Sequence, residues 1–346
     1  MPRSLVARTL VAIAVATTAM SFGSLTHADE PAPPRADEPV PPRADEPVLP
    51  HVDEPASRPS PPPYSLPWQL RPAAATTVVR SDTAFAKYED TKSNGGFTVA
   101  STLLASYKVP GTGDKWAGLA PLVRLAVVND SPPSSVTTGG GFAFVNPLLG
   151  ATYAVPLGAG LRAAFFLGGT IPIGMGGGNT PDKGLVDARS AGQAARSQMD
   201  NSLFAVNDFA LIPGADVAWV GEGFTLQAEA TLFQLWRVRG EKAQQEASKT
   251  NFTSGVHAGY FIVPELSVGL DVRYQRWLNA PIAIDKDTTG TRVDTWTAAI
   301  GPRFHFPLGG GVKIHPGIAY ARALDKPMAA ATPNYHIFQL DIPVTF

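Results

Sequence analysis

Cysteine is absent from the 346 residues. That excludes disulfide staples, thiolate metal sites, thiol catalysis and a lipid-anchor cysteine. Charge is also scarce. Asp, Glu, Lys and Arg make up 16 % of the chain, against roughly 25 % in soluble proteins. The two signs nearly cancel, leaving a net charge of -1, so the chain is not built to coat nucleic acid and no such partner is expected. Mean hydropathy is near zero, which excludes a polytopic helical membrane protein. There is no His-Glu-x-x-His and no nucleophile elbow. None of the Gly runs at 139–141, 176–178 and 309–311 continues into a Gly-Lys-Ser/Thr loop. No enzymatic activity, cofactor or metal is therefore expected. Gly and Pro, in contrast, number 33 each, a composition of many turns and strands rather than long helices.

Taken in order, residues 1–28 read as a secretory signal. Arg3 and Arg8 give a positive start, 10–20 is an apolar and small-residue run, and Thr26-His27-Ala28 suits cleavage after Ala28. Residues 29–72 follow as a Pro-rich arm. It carries an eight-residue repeat, Ala-Asp-Glu-Pro-Ala-Pro-Pro-Arg and three variants of it, and Pro61 to Pro63 continue the bias. Proline at this density removes backbone donors and fixes φ, so a disordered, polyproline-like spacer of about 3.1 Å per residue is expected. Stretched out, it spans on the order of 100 Å. Such an arm either tethers the protein to peptidoglycan or a periplasmic partner, or hangs passively.

From 73 to 346 the texture is one of alternating segments separated by turns. The clearest, 266–278, places Leu266, Val268, Leu270, Val272 and Tyr274 on one face and Ser267, Asp271, Arg273 and Gln275 on the other. About twelve such segments can be counted between 76 and 346. The links between them alternate short (110–116, 156–160, 220–222, 263–265, 307–310) and mostly longer (129–141, 175–206, 239–251, 279–293, 323–334). Tyr107, Tyr153, Trp219, Trp236 and Trp277 sit near strand ends, where interfacial aromatic girdles are expected. The last segment ends Phe338-Gln-Leu340-Asp-Ile342-Pro-Val344-Thr-Phe346. Alternation closing on an aromatic resembles the C-terminal signature of Gram-negative outer-membrane β-barrel proteins. The resemblance implies an all-β fold, a transmembrane antiparallel barrel of about twelve strands. It also implies outer-membrane localisation among lipid and lipopolysaccharide, a periplasmic arm, and recognition of Phe338, Leu340, Ile342, Val344 and Phe346 by the barrel-insertion machinery.

The parity of the strands names a polar lining: Arg124, Arg162, Arg237, Arg273, Arg303 and Lys313 are basic, Asp216, Glu229, Asp271 and Asp341 acidic, and His257, His305 and His315 titratable. A channel or transporter for small solutes with a mixed-charge, slightly basic lumen is one reading, and replacing Arg273 and Arg303 by Glu should then favour cations. A structural or adhesive barrel with a filled lumen, binding a partner through its arm or outer loops, is the other. His305 and His315 face each other without an obvious third ligand, so a structural pair is expected. The 175–206 link is long enough either to fold inward as a constriction, with the Ala-, Gln- and Arg-rich 185–200 forming a short helix, or to stay a mobile surface loop.

Overall fold

The computed structural model describes residues 63–89, 94–111, 118–134, 140–240, 247–286, 293–325 and 334–346. The expected signal segment and most of the expected arm, 1–62, lie outside the described residues. Twelve antiparallel staves follow one another around a closed barrel. They are β1 (Val78–Glu89), β2 (Gly95–Ser106), β3 (Leu119–Ser131), β4 (Gly141–Phe144 and Leu148–Gly158), β5 (Leu161–Thr170) and β6 (Asp208–Gly221). Then come β7 (Phe224–Arg237), β8 (Ser248–Val263), β9 (Leu266–Asn279), β10 (Asp294–Phe304 and Phe306–Gly309), β11 (Val312–Ile314 and Gly317–Ala323) and β12 (His336–Thr345). Each pairs with the next, and β1 closes on β12 from Val78↔Thr345 to Lys87↔His336. Closure leaves no unpaired sheet edge, the condition for placing a sheet in lipid.

Alternation along each strand sets the two faces. Outward positions carry Phe165, Leu167, Val256, Ile300, Ile318 and Phe338, all exposed, as a wall solvated by hydrocarbon requires. Tyr107, Tyr153 and Trp236 are likewise exposed on the outside. Trp277 is not in the girdle expected for it. It is buried, because it shares the inward parity of Arg273 and Gln275 on β9.

Inward positions of the first staves are small, among them Ala84, Ala86, Ala100 and Ala126. That leaves space for the 175–206 link, which folds into the barrel as helix α1 (Lys183–Ala195) and the single turn α2 (Asn201–Phe204). The Asp182 side chain caps α1 by accepting from the Leu185 N–H. Ala188, Ala191, Gly192, Ala194 and Ala195 form its buried face, and any Cβ at 192 would collide with Val128 at 2.3 Å. The link is rooted where β4 breaks. Asn146, in the break, donates to the carbonyls of Ala205 (2.9 Å) and Asp208 (3.3 Å) and accepts from the Gly174 N–H (3.0 Å).

Residues 64–72, expected to belong to the disordered arm, run as a strap inside the barrel, bent at 68–70, with Ser65, Trp68 and Leu70 buried. Two further short elements complete the described fold: the turn α3 (Ile282–Asp285) beyond β9, and the tight hairpin of β10 and β11 around Gly310 and Gly311, both at positive φ.

Candidate functional site in the barrel lumen

Wall carboxylates and amides face the strap from several strands. The strap's N–H groups donate to them: Ser65 to Thr225 Oγ1 (2.9 Å), Gln69 to Asp271 Oδ2 (2.7 Å) and Arg71 to Glu229 Oε2 (2.6 Å). The strap's carbonyls accept in turn. Arg80 donates to Pro67 (3.1 Å) and Trp68 (3.2 Å), Gln339 to Trp68 (3.0 Å), Arg273 to Gln69 (2.5 Å) and Gln227 to Arg71 (2.6 Å). Most of the barrel's own backbone is committed to its ladders, so side chains are most of what the wall has left to hold a second chain segment.

Side chains of the strap are seated as well. The Trp68 indole donates to the Gly269 carbonyl (3.2 Å) and lies under the Arg303 guanidinium, 4.2 Å from the ring centre. Arg71 reaches Asp216 and Glu229 at 3.5 Å each, with its guanidinium 4.7 Å above the Phe166 ring. Arg162 lies over the Tyr64 ring at 5.1 Å, and the Tyr64 hydroxyl donates to Gln227.

The remaining residues expected in the lining take distinct places. Asp341 sits between Arg80 (2.7 Å) and Arg303 (2.6 Å). His257 and Asp271 are both fully buried and bonded at 2.6 Å. Arg273 pairs with Glu229 (3.5 Å). Arg237, toward the loop side, pairs with Asp208 (3.3 Å), which also holds Lys249. His305 and His315 meet near the turn-side rim at 2.8 Å, His305 also bonding Ser267 (2.8 Å) and His315 bonding Thr345 (3.2 Å). Among the described residues no group of three or more potential ligands gathers that would hold a metal ion. Lys313 is exposed and joins none of these groups.

Above the strap, the 175–206 link is fastened by a chain of ions. Asp82 on β1 pairs with Arg196 (2.8 Å), Arg196 with Asp200 (3.1 Å), and Asp200 with both terminal nitrogens of Arg124 on β3 (2.8 Å each). Burial opposes the charged form of Asp200, but the Arg124 and Arg196 guanidiniums outweigh it and hold the carboxyl well below the usual carboxylate range. Gln69 ties the two inserted segments together by donating to Ser197 Oγ (3.2 Å).

Beside the strap a cavity of about 150 Å³ remains. Leu104, Leu122, Phe166, Met199, Ile212 and Phe233 line its apolar part, and Val78, Ser106 and Thr345 carry it to the turn-side rim.

Tyr64, Trp68, Gln69, Arg71, Arg80, Asp82, Arg196 and Asp200 belong to this site although strand parity singled out none of them, whereas Gln227 and Gln339 share the inward parity of Glu229 and Asp341. One signal was present. After Pro63 the arm's composition shifts to Tyr64-Ser-Leu66-Pro-Trp68-Gln-Leu70-Arg, large apolar residues at every second position, which a solvated spacer does not need.

The sequence matches no family model and no curated protein. Among solved structures, the fold is similar to that of the COG4313 outer membrane channel from Pseudomonas putida F1, at 12 % identity over 81 % of this chain and 98 % of that one, with a TM-score of 0.51. The NanC porin (9 % identity, 77 % of this chain and 98 % of that one, TM-score 0.45) and the KdgM porin (9 %, 78 % and 99 %, 0.42) align less closely. The first likeness shows the shared fold, a closed antiparallel β-barrel.

Proposed function

We propose that this barrel is an outer-membrane channel for small solutes, held shut at rest by two segments of its own chain. The observation that carries the reading is how the lumen is filled. Twelve strands enclose more space than their own side chains occupy, and here the balance is taken up by the strap and by α1 with its flanking turns. Both are attached through side-chain hydrogen bonds and ion pairs, contacts that water can replace group by group when a segment leaves. The cavity along β2–β6 already joins the turn-side rim to the middle of the barrel. On this reading that rim faces the periplasm. With the strap withdrawn, Asp216, Glu229, Asp271 and Arg273 line the opened path and set its selectivity.

The test is single-channel conductance of the refolded protein in a planar bilayer, intact and with residues 175–206 deleted. Small or intermittent conductance in the intact chain, enlarged by the deletion, supports a gated channel. One observation favours the alternative, a structural barrel presenting its loops to a partner: the inserted segments are fixed at both levels of the lumen. No conductance in either form would establish that reading instead.

A further inference from the structure

The strap is bound as a ligand is bound. Its main chain is read on both sides: N–H groups at 65, 69 and 71 by Thr225, Asp271 and Glu229, carbonyls at 67, 68, 69 and 71 by Arg80, Gln339, Arg273 and Gln227. The N–H donors that the wall receives avoid positions 67 and 72, where proline has none. The wall is also carved to the strap's shape. A Cβ at Gly259 would stand 2.2 Å from Ser65 Oγ, one at Gly317 2.5 Å from the Trp68 ring, and one at Gly214 2.4 Å from the Arg71 guanidinium. These glycines come from β8, β11 and β6, strands that share no ladder with one another, so their common feature is the strap above them.

We propose that the lumen wall is a receptor for a peptide segment, occupied in this structure by the chain's own residues 64–74. Its ligand class is a peptide free of regular secondary structure and bent around its tryptophan, with apolar side chains at alternate positions, proline at positions whose N–H the wall does not use, and an arginine for the Asp216 and Glu229 carboxylates. The proposal deepens the channel reading, on which it rests for its physiological consequence: a peptide of this class arriving from the turn side replaces the strap or holds the path shut in its stead. Adding a strand to a sheet edge, the common way to bind a peptide main chain, is closed to a barrel without edges. Recognition by side chains of the wall is the main remaining route, joined here by the Gly269 carbonyl that accepts from the Trp68 indole.

The experiment uses the full chain with Trp68→Ala and Arg71→Ala, which loosen the strap and leave the wall intact. The probe is a labelled synthetic peptide with the sequence of residues 64–74. Fluorescence anisotropy reads binding, planar-bilayer conductance reads block, and far-UV circular dichroism checks that the barrel is folded. Saturable binding, with a scrambled peptide at least tenfold weaker, is expected. In the unsubstituted chain the tethered strap competes at an effective concentration on the order of mM, so the peptide should bind at least tenfold more weakly there. Adding Asp271→Asn and Glu229→Gln to the loosened chain should cost a further factor of about ten or more, since hydrogen bonds to charged acceptors are lost. A folded, loosened chain that does not bind the peptide at millimolar concentration, or binds the scrambled peptide equally, overturns the receptor. The two readings separate. Conductance that appears on loosening and is indifferent to the peptide retires the receptor alone. Saturable binding with no conductance in any variant retires the channel alone.

Discussion

Trp68→Ala is the sharpest probe of whether the strap or the wall holds the lumen closed. Trp68 is 1 % exposed. Its ring packs under Arg303 at 4.2 Å and over Gly317, and its indole N–H bonds the Gly269 carbonyl. Truncating a buried Trp costs roughly 3–5 kcal/mol, including a desolvated cation–π contact of about 2 kcal/mol. Residue 68 belongs to no ladder, so this loss falls on docking of the strap and not on closure of the barrel. At 1.4 kcal/mol per factor of ten, strap occupancy should weaken roughly a hundredfold to a few thousandfold. Hydrogen exchange read residue by residue is the direct assay. The Gln69 and Arg71 amides, which donate to Asp271 and Glu229, should exchange faster by about that factor, while wall amides such as Leu340 on β12 keep their protection. Conductance should rise in parallel. Unchanged exchange at 69 and 71 would refute the reasoning, as would a uniform loss of protection around the barrel, because either would show that Trp68 does not act through the strap.

Other consequences follow from the same contacts. Asp200→Asn leaves Arg124 without its carboxylate partner at a site mostly out of water, a cost of about 3 kcal/mol; trypsin should then cut after Arg189 or Arg196 in an otherwise folded protein, and resistance equal to the unsubstituted chain would show that Arg196–Asp82 suffices to hold the link. Asp200 has a depressed folded-state value. Its contribution is therefore present above an unfolded value of about 3.9 and is lost only as pH falls through the folded one, so 175–206 should resist pepsin at pH 4 in its intact setting, and cleavage there would contradict the ion chain. Arg303→Glu would set a carboxylate against Asp341, now 2.6 Å from the guanidinium, and remove the cation above Trp68. We expect misfolding or strap release rather than the simple shift toward cations anticipated from parity, and a folded, cation-selective channel with a protected strap would reverse that revision. Removing Phe346 should lower insertion into membranes yet leave the melting temperature of the folded barrel nearly unchanged, since its ring is exposed and the ladder closes at Val78↔Thr345 without it; a large fall in melting temperature would give it a structural role instead.

The strands were legible because their signal is local. Lipid on one side and lumen on the other impose a period of two, and a window of ten residues such as 266–275 displays it in full. The inward parity of Asp216, Glu229, Asp271, Arg273 and Asp341 was readable for the same reason. So was Trp277, had the parity of Gln275 been carried two residues further. Even the inward fold of 175–206 had a local basis in its length and its Ala-rich stretch.

What the amino-acid sequence determined by itself is thus the wall: its strands, their order, and which face of each meets hydrocarbon. The seating of the strap in the lumen was decided by tertiary structure alone. Proline around 61–67 reads as open spacer whether or not a barrel stands beside it. Only closure brings Arg71 to Glu229, 158 residues away, and Gln69 to Arg273, 204 residues away. Those partners lie on strands that no pattern in the arm foreshadows. The energy that orders the strap comes from pairing groups on opposite arcs of a ring, and such pairs exist only once the ring is closed.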